Sequence, residues 1–84
     1  MQLQTYYFHL RDGTDVLLDP DGRVLPSLDA VVGAALYEAR AIISADARGG
    51  SISLRQRIDV EDELGAVVHS INFEDAVKID RVAK

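Results

Sequence analysis

The stretch that decides the fold is residues 5–13, Thr5-Tyr6-Tyr7-Phe8-His9-Leu10-Arg11-Asp12-Gly13. Its side chains alternate, with Tyr6, Phe8 and Leu10 on one face and Tyr7, His9 and Arg11 on the other. Period-two alternation with this much aromatic content reads as a half-buried strand running from Leu3 to Arg11. Asp12-Gly13 is a strong hairpin signal. Tyr6 and Phe8 are therefore expected to anchor a core beneath a helix, leaving Tyr7 and His9 outside.

Beyond that turn, residues 15–19 supply Val16, Leu17 and Leu18, a short second strand. Asp19-Pro20-Asp21-Gly22 is a further turn, because proline presets φ at its second position. Arg23-Val24-Leu25 reads as an extended connector, and Pro26 keeps Leu25 out of helical geometry. Ser27 is the expected N-cap of the main helix, with Asp29 complementing the dipole in its first turn. Leu28, Val31, Val32, Ala35, Leu36, Ala39, Ile42 and Ile43 form one apolar stripe at helical spacing. The helix should close near Arg48, with Gly49-Gly50 free to take the left-handed turn that stops it.

Residues 51–60 alternate again. Ile52, Leu54, Ile58 and Val60 lie on one face, interrupted by Gln56, and Ser53, Arg55, Arg57 and Asp59 lie on the other. Residues 61–65 form a hairpin loop, and residues 66–73 a fourth strand with two possible registers. One buries Val67, Ile71 and Phe73 with His69; the other buries Ala66 and Val68. The first buries more apolar area and is preferred. Residues 74–81 are expected to form a short C-terminal helix, opened by Glu74 and Asp75 and closed by Lys78 and Arg81. The expectation is a single α+β domain over residues 1–84. Its order is ββαββ, with a four-stranded antiparallel sheet and one main helix packed on one face.

Composition narrows the function. The chain has 84 residues, no cysteine and two histidines. A chain this short has a marginal core, and no disulfide or closed zinc site is available to reinforce it. A net charge of −5 argues against nucleic acid and anionic membrane as partners. No apolar run approaches a membrane span, and Arg11, Asp12 and Asp15 interrupt any signal-peptide core. A cytoplasmic protein is expected.

No residue pattern calls for catalysis, a cofactor or a metal. His9 and His69 are the proton-transfer candidates near neutral pH, but each needs a partner that spacing cannot supply. The acidic run Asp59-Val60-Glu61-Asp62-Glu63 lacks EF-hand spacing, and an acidic hairpin tip that blocks edge pairing accounts for it. Tyr7, His9, Arg55 and Arg57, with Arg11, are a possible ligand surface, where rings stack on a planar molecule and arginines pair with an anion. The plainer account is a solvated polar sheet face. The back of the main helix is more informative. Ala30, Gly33, Ala34, Tyr37, Ala41, Ser44 and Ala45 make it small and smooth where a monomer's helix is normally polar. Small residues admit another backbone, and an exposed tyrosine is a common interface anchor. A homodimer through this face or through an open sheet edge is expected.

The order YYFHLRDG, then DPDGRVLPSLDAV opening an alanine-rich helix, then VEDELGAVVHSINFEDAV, resembles a family of small alphaproteobacterial proteins of unknown function. That resemblance covers nearly the whole chain and implies no activity, cofactor or site residue. The aromatic hairpin, the Pro26-Ser27-Leu28 step and the alanine-rich helix are also similar in architecture to HicB-like antitoxins. That likeness implies a domain that masks a small protein toxin, although no DNA-binding segment follows.

Overall fold

The computed structural model describes residues 3–80. The first hairpin forms where the alternation places it, from β1 (Gln4–Asp12) and β2 (Asp15–Leu17) joined at Gly13. β1 is nine residues long and β2 only three. β2 pairs with the end of β1, Leu10 to Asp12, which leaves the rest of that edge without a neighbour. The segment expected to be a connector fills part of it. β3 (Arg23–Leu25) pairs antiparallel with Gln4, Thr5 and Tyr6 on β1. The sheet therefore has five strands rather than four.

α1 (Leu28–Arg48) follows. The Ser27 hydroxyl accepts the Ala30 N–H at 3.1 Å, as a cap at that position should. At the other end Gly49 stays right-handed, and Gly50 alone takes the left-handed conformation. Val31, Ala35, Ala39 and Ile43 carry the burial. Leu28 and Val32, placed in the same stripe, are exposed. A 21-residue helix is about 32 Å long, whereas the six residues of β5 span about 20 Å. The helix is longer than that strand.

β4 (Arg57–Glu61) is the centre of the sheet, flanked by β1 and by β5 (Val67–Asn72). The strand expected over residues 51–60 is half that length. β1 turns away at Asp12-Gly13, and α2 (Phe73–Ala76) begins just after Asn72. Before Arg57 only Gln56 continues the ladder among the described residues, its carbonyl accepting the Phe73 N–H at 2.9 Å. Residues 51–56 run irregularly, with Gln56 buried and Ile52 exposed. Strand order is β2-β1-β4-β5, with β3 beside β2 on the outer edge of β1.

The register on β5 is a compromise between the two that the alternation allows. Ile71 opposes Ile58 and His69 opposes Val60, as in the preferred register. The ladder then slips so that Glu61 opposes Val67. The extra residue of this bulge is Val68, which packs against the core while Val67 is exposed. α2 ends at Ala76, earlier than expected, because Val77 is extended. Arg81 lies outside the described residues. The core under α1 joins Tyr6 and Phe8 of β1, Ile58 and Val60 of β4, and Phe73 and Ala76 of α2. Among the described residues no helix is long and apolar enough to cross a membrane.

Candidate functional surfaces

Strand pairing on the face away from α1 brings six side chains into three cross-strand pairs: Tyr7 with Glu61, His9 with Asp59, and Arg11 with Arg57. The face is polar but not loosely solvated. Asp59 is only 5% exposed. Its Oδ1 accepts from the Ser70 hydroxyl at 2.7 Å and from Arg57 Nε at 3.1 Å, and Arg11 pairs with its Oδ2. Burial pushes the Asp59 carboxyl up, but these three donors outweigh it and hold the group below its ordinary value. Two of the arginines that could have met an anion are thus already matched to a carboxylate. Arg55 precedes β4, outside the sheet register.

His9 is 8% exposed even though it faces outward. The Tyr7 ring stacks beside it, with centroids 6.4 Å apart and planes 9° from parallel. Its Nε2 lies 3.7 Å from Glu61 Oε1, and its Nδ1 accepts the backbone N–H of Asp19 at 3.1 Å. Glu61 is thus a charge neighbour beyond hydrogen-bond distance, and the hydrogen-bond partner of His9 comes from the chain between β2 and β3. His69 is half-buried on the helix side of β5, and its Nε2 has no hydrogen-bond partner.

Asp19 is the residue the sequence undervalued. β2 and β3 use the same edge of β1 at its two ends, and residues 18–22 arch across the gap between them. Asp19 Oδ2 accepts the Phe8 N–H at 3.1 Å, standing in for the strand that is missing there. Its Oδ1 accepts from the N–H groups of Asp21 and Gly22. Partial burial raises this carboxyl, but the three backbone bonds, with help from His9, bring it below its ordinary value. The available signal was Asp-Pro-Asp-Gly read as an Asx turn, in which an aspartate binds backbone two residues on. Nothing local points to Phe8, eleven residues back.

On the helix side, the arch and α1 bound a slot of about 410 Å³ floored by Phe8, Leu10 and Ile58. Arg23 lies over the Phe8 ring, 4.8 Å from its centroid, and pairs with Glu38 of α1 at 2.8 Å. The acidic loop is engaged in its own closure. Asp62 Oδ1 accepts from the Leu64 and Ala66 N–H groups, and Glu63 Oε1 accepts from that of Thr5. No group of three or more His, Cys, Asp or Glu side chains able to hold a metal occurs among the described residues.

The outward face of α1 is an open groove of about 600 Å³. Gly33, Tyr37, Ala41 and Ser44 line it, with Leu36 and Arg40 at one side. Tyr37 stands 72% exposed in it. Ala30 and Ala34, expected on this face, are half-buried and do not line the groove, and Ala34 packs against the core instead. Arg40 donates from Nε to the Ala76 carbonyl at 2.7 Å and so satisfies the end of α2.

The profile of a protein family described as a domain of unknown function (DUF6894) matches residues 5–74. That span begins in β1 and ends in the first turn of α2, taking in the whole sheet and α1. No curated protein and no solved structure matches the chain.

Proposed function

The chain belongs to the DUF6894 family, of unknown function, and from that premise we propose that it is a non-enzymatic, cytoplasmic interaction domain. It associates with a second copy of itself through the outward face of α1, in an isologous dimer. The contact residues are Ala30, Gly33, Ala34, Tyr37, Ala41 and Ser44. The observation that carries this reading is at Gly33. A Cβ built there meets nothing within 4 Å, so the chain's own packing does not require a glycine. Glycine within a helix costs about 0.5–1 kcal/mol relative to alanine. A partner backbone lying close to Gly33 accounts for that cost, and Tyr37 beside it supplies the anchor. Sedimentation or light scattering of the full chain should give a dimer, and Tyr37→Glu a monomer. A wild-type monomer at high concentration ends the proposal.

A further inference from the structure

The arch over residues 18–22 is tied to β1 by two bonds of different chemistry. One runs from the Phe8 N–H to the Asp19 carboxylate, and the other from the Asp19 N–H to His9 Nδ1. A backbone N–H can only donate. His9 Nδ1 must therefore carry a lone pair, and the neutral ring bears its proton on Nε2, on the side of Glu61. A proton on Nδ1 would set two donors against each other at 3.1 Å.

We infer that His9 is a pH-sensitive latch whose protonation breaks one of the two bonds tying the β2–β3 arch to the edge of β1 and so loosens the arch. The groups facing the imidazole are accounted for on every side. Tyr7 and Arg11 come from its own strand, Asp19 from the arch, and Asp59 and Glu61 from β4. Asp59 is already matched to Arg11 and Arg57, which leaves the Asp19 and Glu61 carboxylates to face the imidazolium. What it loses is the acceptor at Nδ1. Protonation thus exchanges a backbone bond for a charge pair and leaves the arch held by the Asp19 carboxylate alone. The arch forms one wall of the slot over Phe8, Leu10 and Ile58. Loosening it widens that slot, while the Asp19 carboxylate keeps the Phe8 N–H covered.

The test is an NMR titration of the full chain from about pH 8 to about pH 5, the interval in which histidine changes charge. Imidazole ¹⁵N shifts should show His9 with Nδ1 unprotonated at the upper end. As His9 titrates, the Asp19 amide, corrected for intrinsic exchange, should exchange about five- to tenfold faster. The amides of Ile58 and Val60 should hold their protection. In His9→Asn, whose side-chain oxygen accepts without titrating, the pH response of the Asp19 amide should vanish. The latch is refuted by a neutral His9 protonated on Nδ1. Asp19 protection that ignores the His9 titration refutes it too, as does a response that persists in His9→Asn. Loss of core and arch protection together, which is global unfolding, would likewise overturn it.

Discussion

The carboxylate of Asp19 accepts the backbone N–H of Phe8 at 3.1 Å, eleven residues back along the chain. One edge of β1 is thereby completed by a side chain between two short strands. A β-edge normally needs another strand or solvent to satisfy it. Here the strands at its ends are three residues each, and the aspartate bridges the interval between them.

Asp19→Ala removes the acceptor of three backbone N–H groups, those of Phe8, Asp21 and Gly22. The Phe8 donor is the one drawn away from water, so the expected loss is about 2–3 kcal/mol. Asp19→Asn keeps one acceptor oxygen and should fall between wild type and alanine. Urea denaturation followed by circular dichroism reads both, and an unchanged midpoint in Asp19→Ala would remove the bridge from the account of stability.

Gly22 and Gly13 both have positive φ, at 70° and 62°, but they differ in surroundings. A Cβ on Gly22 meets Thr5 Cγ2 at 2.8 Å, Tyr7 Cε2 at 2.9 Å and the Tyr6 carbonyl at 3.0 Å, whereas one on Gly13 meets nothing. Gly13→Ala should therefore cost only the left-handed backbone, about 1–2 kcal/mol. Gly22→Ala adds overpacking, for a total of about 2–4 kcal/mol. Melting temperatures of the two variants measured side by side give the difference; equal shifts would mean that the arch moves aside freely.

Asp59 and Asp19 both ionise more readily folded than unfolded. A depressed folded value contributes stability above the unfolded value, about pH 3.9, and that contribution is lost as pH falls through the folded one. Stability should therefore decline below about pH 4. Asp59→Asn should flatten part of that decline. Near neutrality it should also cost about 1–3 kcal/mol, since Arg57 loses its charged partner at an exposed position and Arg11 loses it at a buried Nε. Denaturant midpoints taken from about pH 2 to about pH 7 measure both effects, and an Asp59→Asn curve parallel to wild type would contradict the linkage.

Gly33→Ala separates the needs of the helix from those of the proposed dimer. In a monomer the alanine should stabilise α1 by about 0.5–1 kcal/mol, because its methyl group enters open space. At a close interface the same methyl holds the partner backbone away, and the dimer dissociation constant should rise about tenfold or more. Sedimentation equilibrium together with thermal melts at two concentrations distinguishes the cases. Higher stability with unchanged association would leave Gly33 without a partner.

Phe73 is fully buried at the start of α2, and its N–H donates to the Gln56 carbonyl at 2.9 Å. It closes the core at the end of the sheet where the strands diverge. Phe73→Ala is expected to cost about 3–5 kcal/mol, a large share of the stability of so small a domain, and should leave the protein partly unfolded at 37 °C. A cooperative melt close to that of wild type would show that the core at this end is held by other residues.

Local pattern was enough wherever a segment's neighbours matched its period. The alternation through Tyr6, Phe8 and Leu10 placed β1 and its buried face, and Ser27 and Arg48 bracketed α1, because caps and amphipathic stripes are written within a few residues. The same alternation over residues 51–60 overreached. A strand needs partners as well as a pattern, and β1 and β5 offer none before Arg57. Arg23-Val24-Leu25 failed in the opposite direction, since a three-residue segment becomes a strand only where a longer neighbour leaves an edge open.

By itself, the sequence determined the α+β class, the first hairpin, the span of the main helix and the small-residue face along its back. Each of these follows from periodicity, turn chemistry or capping, which act within a turn or a few residues. Only the tertiary structure decided that Asp59 would match Arg11 and Arg57. It alone decided that Asp19 would complete the edge of β1 and that His9 would accept from the arch. Those contacts join residues brought together by strand register and by the placement of the arch, and register is fixed by burial of the whole apolar face at once rather than by any local signal.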